Sequence, residues 1–152
     1  MRIDGEREVR LLEAPMSDSI LTLTGLPPRP GASLAAIEAA ERDLGVRLPD
    51  DYKALLRESD GLEGFSGPEG DYLMLYGVKE LGEIHRGYEV AEFAPGLTMI
   101  GSDGGGNAFG FVLQDRRTRY VRLPFIPMDL REAEDMGGTL VEFVQKLRVR
   151  WR

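Results

Sequence analysis

The stretch Gly101-Ser102-Asp103-Gly104-Gly105-Gly106-Asn107 is where residue type and spacing first suggest chemistry. Successive glycine amides can form a nest that holds an anion. No Lys-Ser/Thr pair follows, however, and the next segment alternates like a strand, so the stretch is not a phosphate loop of the known kinds. A plainer role is a tight crossing between strands, with glycines tolerating positive backbone angles. Because short glycine motifs are weak signals, the structural role is favoured here.

Other groups offer less. Asp103 with Asp129 or Glu132 would suit acid/base work or a metal only if the fold brought them together, and their spacing does not require it. Asp103, Gly104 and Asn107 do not match a calcium loop, which needs oxygen ligands at alternate positions and a terminal glutamate. The single histidine, His85, excludes a site built on several histidines and reads as a surface residue of a helix. No Gly-x-Ser-x-Gly elbow occurs, and without cysteine there is no thiol nucleophile, thiolate zinc site or disulfide. The sequence therefore carries no visible catalytic set, cofactor motif or metal site, and a non-enzymatic protein is expected.

The elements that would position these groups centre on residues 33–64. Ser33 can cap a helix whose apolar positions are Leu34, Ile37, Ala40 and Leu44, and Gly45 supplies its left-handed stop. Leu48 and Pro49 enter a second helix with Asp50 and Asp51 in its first turn and a stripe of Tyr52, Leu55 and Leu56. Before this pair, Pro27, Pro28 and Pro30 forbid helix, and Ile20 to Thr24 reads as a short strand. After it, Gly64, Gly67, Pro68 and Gly70 mark a loop, Tyr72 to Tyr76 a strand buried on both faces, and Lys79 to Ala91 a helix. A strand over Leu97 to Ile100 precedes the glycines. Phe109, Phe111 and Leu113 alternate into a hairpin that returns through Tyr120 to Leu123. Met128 to Gly138 reads as loop with one helical turn. A last helix opens on the capping box Thr139 and Glu142 and buries Leu140, Phe143, Val144, Leu147 and Trp151.

Charge is unevenly spread along these 152 residues, whose net charge is −7. Between Glu58 and Asp103 stand ten acids against two bases, Lys79 and Arg86. Such a face repels nucleic acid and attracts a basic protein, or simply keeps the domain soluble. The basic runs Arg116 to Arg122 and Lys146 to Arg152 fall at a hairpin turn and a helix C-terminus, where structure explains them. No segment approaches the roughly 20 apolar residues of a membrane span, and Met1 to Pro15 is too charged for a secretory signal. A cytoplasmic domain with no membrane or nucleic-acid partner is expected.

The order of motifs resembles the SUKH superfamily, which includes bacterial immunity proteins and a fungal cell-wall synthesis regulator. It is carried by Asp43-Leu44-Gly45, Leu48-Pro49, Asp51-Tyr52-Lys53-Ala54-Leu55-Leu56, Asp60-Gly61, Ile100 to Asn107 and Thr139 to Val144. The resemblance implies a single α+β domain over 33–152, with a mixed, mainly antiparallel sheet flanked by an N-terminal helix pair and a C-terminal helix. Residues 1–32 would be an extension packed on it. It also implies a protein that binds and neutralises a toxin domain, often a nuclease, with no catalytic residues to carry over. A regulatory interaction module, or an anion or small-molecule binder at the glycine loop, is the alternative. The carboxylates expected to meet a basic partner are Asp60, Glu63, Glu69, Asp71 and Asp103.

Overall fold

The computed structural model describes residues 16–65 and 72–149. A first helix, α1, spans Met16–Thr24 where the sequence suggests a strand. Ile20 and Thr24, one turn apart, are buried together, and α1 packs on the second helix of the central pair and on the C-terminal helix. That docking outweighs the weak strand preference of Ile20 and the threonines. Gly25 in the left-handed region ends α1, donating its amide to the Leu21 carbonyl at 2.9 Å.

The helix pair forms as its punctuation dictates. Helix α2, Leu34–Leu44, is capped by Ser33, whose hydroxyl accepts from the Ala36 amide at 3.1 Å, and ends at Gly45 with φ 73°. Ile37 and Ala40 face inward, while Leu34 stays exposed. Glu41 reaches forward to accept the Leu48 amide at 2.8 Å, fixing the connector, and also pairs with Lys53. Helix α3, Asp50–Glu58, then buries Tyr52, Leu55 and Leu56.

Six strands follow in simple sequence order: β1 Leu62–Phe65, β2 Tyr72–Leu75, β3 Thr98–Ser102, β4 Asn107–Gln114, β5 Arg117–Pro124 and β6 Glu134–Gly137. All five pairings are antiparallel, so the expected α+β class with its mainly antiparallel sheet is borne out. Two short edge strands were not foreseen. β1 runs through Gly64, which the sequence marks as loop, and β6 occupies a stretch without alternation. In β2 only Leu73 and Leu75 are buried, Tyr72 and Met74 being half-exposed, so that strand alternates. The β4–β5 hairpin has a two-residue turn at Asp115 and Arg116, both with positive φ, the twist such hairpins require.

Between β2 and β3 lie helices α4, Val78–Gly87, and α5, Val90–Phe93; a 3-10 turn at Leu130–Glu132 precedes β6. Helix α6, Leu140–Val149, lays Phe143 edge-on against Phe109, with ring centroids 4.9 Å apart, and beside Tyr120. The anticipated capping box is made with a shift. Thr139 accepts the Glu142 amide at 3.1 Å, but Glu142 accepts from Gly138 rather than from Thr139. Trp151 lies outside the described residues, and no described helix is long and apolar enough to cross a membrane.

One carboxylate joins three of these elements. Asp51, in the first turn of α3, accepts the Tyr120 hydroxyl on β5 at 2.7 Å and the first amide of α6, Leu140, at 2.9 Å. Burial, then the nearby Asp51 charge, pushes the Tyr120 phenol up, so it stays a donor across the physiological range. Replacing Asp51 by Asn removes the charge from both bonds, and a loss of about 2 to 3 kcal/mol is expected in urea unfolding. A loss smaller than that of Tyr120→Phe would sink this account.

Candidate partner-binding surface

Of the five carboxylates singled out from sequence, Asp60, Glu63 and Asp103 are among the described residues, and each holds different partners. Asp60 is half-buried behind α3, where it accepts the Val78 amide at 2.8 Å and so caps α4 from a distance, since Gly77 at the cap position has no side chain. Glu80 completes that cap by accepting the Gly77 amide. Glu63 is exposed on β1 and holds Arg29 at 3.1 Å and the Tyr72 hydroxyl across the hairpin. Its bond to Glu63 raises the Tyr72 phenol. Glu69 and Asp71 lie outside the described residues.

Asp103 closes the glycine loop on itself. One carboxylate oxygen accepts the Gly105 and Asn107 amides at 2.9 and 3.2 Å, and the other accepts the Asn107 side chain at 2.9 Å. The Ser102 hydroxyl takes the Gly104 amide. The nest donors are thus turned onto the loop's own side chains, which favours the structural role over an anion site. Two glycines are sterically required. A Cβ on Gly101 would fall 2.1 Å from the Met74 carbonyl, and Gly104, at φ 77°, sits against the Tyr72 ring. The loop therefore packs on the start of β2, at the same end of the sheet as Glu63 and away from Asp60.

Asp129 is held by Arg131 and caps the 3-10 turn, so it and Asp103 are committed to different partners. Among the described residues no group of three or more histidines or carboxylates converges as a metal site would.

His85 departs from the surface role expected of it. Its Nδ1 donates to the Leu81 carbonyl at 2.7 Å one turn back on α4, and its Nε2 accepts the Met99 amide of β3 at 2.8 Å. Burial, reinforced by the Arg86 charge, holds the imidazole below its usual range despite the Leu81 carbonyl. The neutral ring is a bracket between helix and sheet. No periodicity announces this, because it depends on the register of β3 against α4.

A cleft of about 510 Å3 opens beside His85 between the end of α2 and α4–α5. Leu44, Val46, Ala91 and Leu97 line it, with Asp43, Glu89 and Glu92 as its carboxylates and Arg86 paired to Asp43 at 3.2 Å. Asp43 packs directly on Gly82, where a Cβ would fall 1.9 Å from its oxygen.

Two pH dependences follow. The unfolded chain takes up the His85 proton near pH 6.5 and the folded one at lower pH, so this group costs stability as pH falls below about 6.5. Urea unfolding of the wild type should show that decline and His85→Gln should lack it; parallel curves would refute the bracket. Around Asp103, burial alone would raise the carboxyl, but its bonds from Asn107 and Gly105, with Arg122 nearby, bring it below the carboxylate range. Its stabilisation is present above about pH 4 and lost as pH falls through the lower folded value. Asp103→Ala should cost about 1 to 3 kcal/mol near neutrality, with the gap to wild type closing in acid.

The order of elements, glycine loop and helix pair agrees with a family match over residues 31–145, described as SMI1 / KNR4 family (SUKH-1). No curated protein matches the chain. With some three-quarters of its length matched and the α+β sheet in place, the chain belongs to the SMI1 / KNR4 family of SUKH-1 domains.

Proposed function

We propose that this domain is a non-enzymatic protein-binding module: a bacterial, cytoplasmic immunity protein that binds and neutralises a basic toxin domain, of nuclease type. In this reading residues 33–152 are the binding domain and residues 1–32 an extension, of which Met16–Thr24 packs on it, residues 1–15 lying outside the described residues. The observation that carries the reading is the exposure of the mid-chain acids. Glu58, Glu63, Glu80, Glu83, Glu89 and Glu92 all face solvent, against Lys79 and Arg86 in the same span. A nuclease surface shaped for phosphate is basic, so such a field steers it in and occludes it. Of the five carboxylates first expected to meet the partner, Glu63, Glu69 and Asp71 make contact in this reading. Asp60 and Asp103, whose oxygens hold backbone amides, contribute field and shape.

The experiment is co-expression and binding with the toxin domain encoded beside the gene. Charge reversal at Glu63, Glu69 and Asp71 together should slow association by about tenfold or more at low salt, an effect that fades as salt rises. An unchanged association rate would remove the acidic face from the mechanism. Capture of a resident cellular protein, with no protection against the toxin, would replace neutralisation by a regulatory role.

A further inference from the structure

The turn from α4 into α5 combines two features that usually lie apart on a protein surface. On one side, Glu89, Ala91 and Glu92 wall the 510 Å3 cleft. On the other, Tyr88 and Phe93 wall a second, apolar cleft of about 370 Å3 with Phe125, Ile126, Pro127 and Met128. The same short helix thus separates an acid-rimmed groove from an apolar one. Three large apolar side chains stand in solvent there: Tyr88 at 45%, Phe93 at 55% and Ile126 at 90% exposure. Tyr88 lies against Phe125, with ring centroids 4.9 Å apart and planes tilted by 31°. Aromatic anchors beside a charged rim are the anatomy of protein interfaces rather than of idle surface.

The backbone carries a second sign. Glu89 sits at φ 52°, ψ 47°, a left-handed position that glycine occupies without steric cost. A glutamate held there against its preference keeps a carboxylate at the corner, as strained residues at working surfaces often do. The charge balance names the occupant. Among the cleft's lining residues Asp43, Glu89 and Glu92 face one cation, Arg86, already paired to Asp43, while the half-buried His85 uses Nε2 to accept the Met99 amide and so adds no charge.

We propose that the α4–α5 corner is the docking surface for the basic face of the protein partner, resting on the protein-binding reading above. An Arg or Lys of the partner lays its stem along Leu44, Val46, Ala91 and Leu97 and brings its cationic head to Glu89 and Glu92. An aliphatic or aromatic neighbour of that residue seats against Tyr88, Phe93 and Ile126.

The test needs no knowledge of the partner. Random peptides displayed on phage are panned on the full chain, and the enriched peptides are synthesised and titrated. Enrichment of Lys or Arg next to Phe, Leu, Ile or Trp is expected. Their affinity should fall about tenfold or more with Glu89→Lys plus Glu92→Lys and with Phe93→Ser, and be unchanged with Glu38→Lys, an exposed acid of α2 that lines neither cleft. Glu89→Gly separates binding from folding, because it should keep or raise the melting temperature while weakening the peptides severalfold. No enrichment, peptides lacking a cation, or affinities indifferent to these variants would overturn the proposal. With the neighbouring toxin as probe the two readings part. Undiminished binding by the corner variants defeats the corner and leaves neutralisation standing, whereas corner-dependent peptides with no toxin binding defeat neutralisation alone.

Discussion

The Asp51 carboxylate is the joint on which the arrangement depends. Its two oxygens reach β5 through Tyr120 and the start of α6 through Leu140, from the first turn of α3. Three elements far apart in sequence thereby share one anion. Leu140, Phe143, Val144 and Leu147 are all buried with Tyr120, but apolar burial is non-directional and would tolerate several rotations of the helix. Two charge-assisted bonds from one side chain allow only one. The helix pair and the last helix are therefore oriented on the sheet by a polar contact inside an apolar interface.

The same device recurs. Glu41 anchors the Leu48 amide ahead of α3, Asp60 caps α4 from behind α3, and the Ser59 hydroxyl receives the Arg29 amide while donating to the Gly61 carbonyl. Each satisfies a backbone group at a helix end or in a connector, as ahead of α4, where Gly77 at the cap position has no side chain. These contacts sort the acids by role. A carboxylate whose oxygens hold amides is committed to the fold, because removing it leaves half-buried donors unpaired. Those that hold only one another's surface cations, or nothing beyond water, are the acids that selection can use for a partner.

Much of this was legible in the sequence wherever a local residue dictates local geometry. Ser33, Gly45 and Pro49 bound the helix pair, and alternation at Phe109 and Phe111 marks the central hairpin. Legibility failed where the deciding partner is distant. Ile20 and Thr24 look no more helical than extended until α3 and α6 supply something to pack on. The edge strands β1 and β6, four residues each, are too short to show a period and exist because β2 and β5 offer them backbone partners. Asp103 was visible as a charged residue in a glycine loop, but its hydrogen bonds to Gly105 and Asn107 belong to the fold of that loop. The α4–α5 corner had no sequence signal beyond its acids, since Phe93 and Ile126 meet only through the folded chain.

Field and anchor answer different demands on a binding surface. Exposed carboxylates spread over β1 and α4–α5 act over about 8 Å at physiological salt, enough to orient a basic partner before contact. They add little once bound, because surface ion pairs in water contribute only about 0 to 1 kcal/mol each. Retention needs area removed from water, and Tyr88, Phe93 and Ile126 together expose such area around one cleft. The chain keeps Glu89 and Glu92 within a few residues of those rings. A partner drawn by the field therefore arrives already placed against a surface able to hold both its charge and its apolar neighbour.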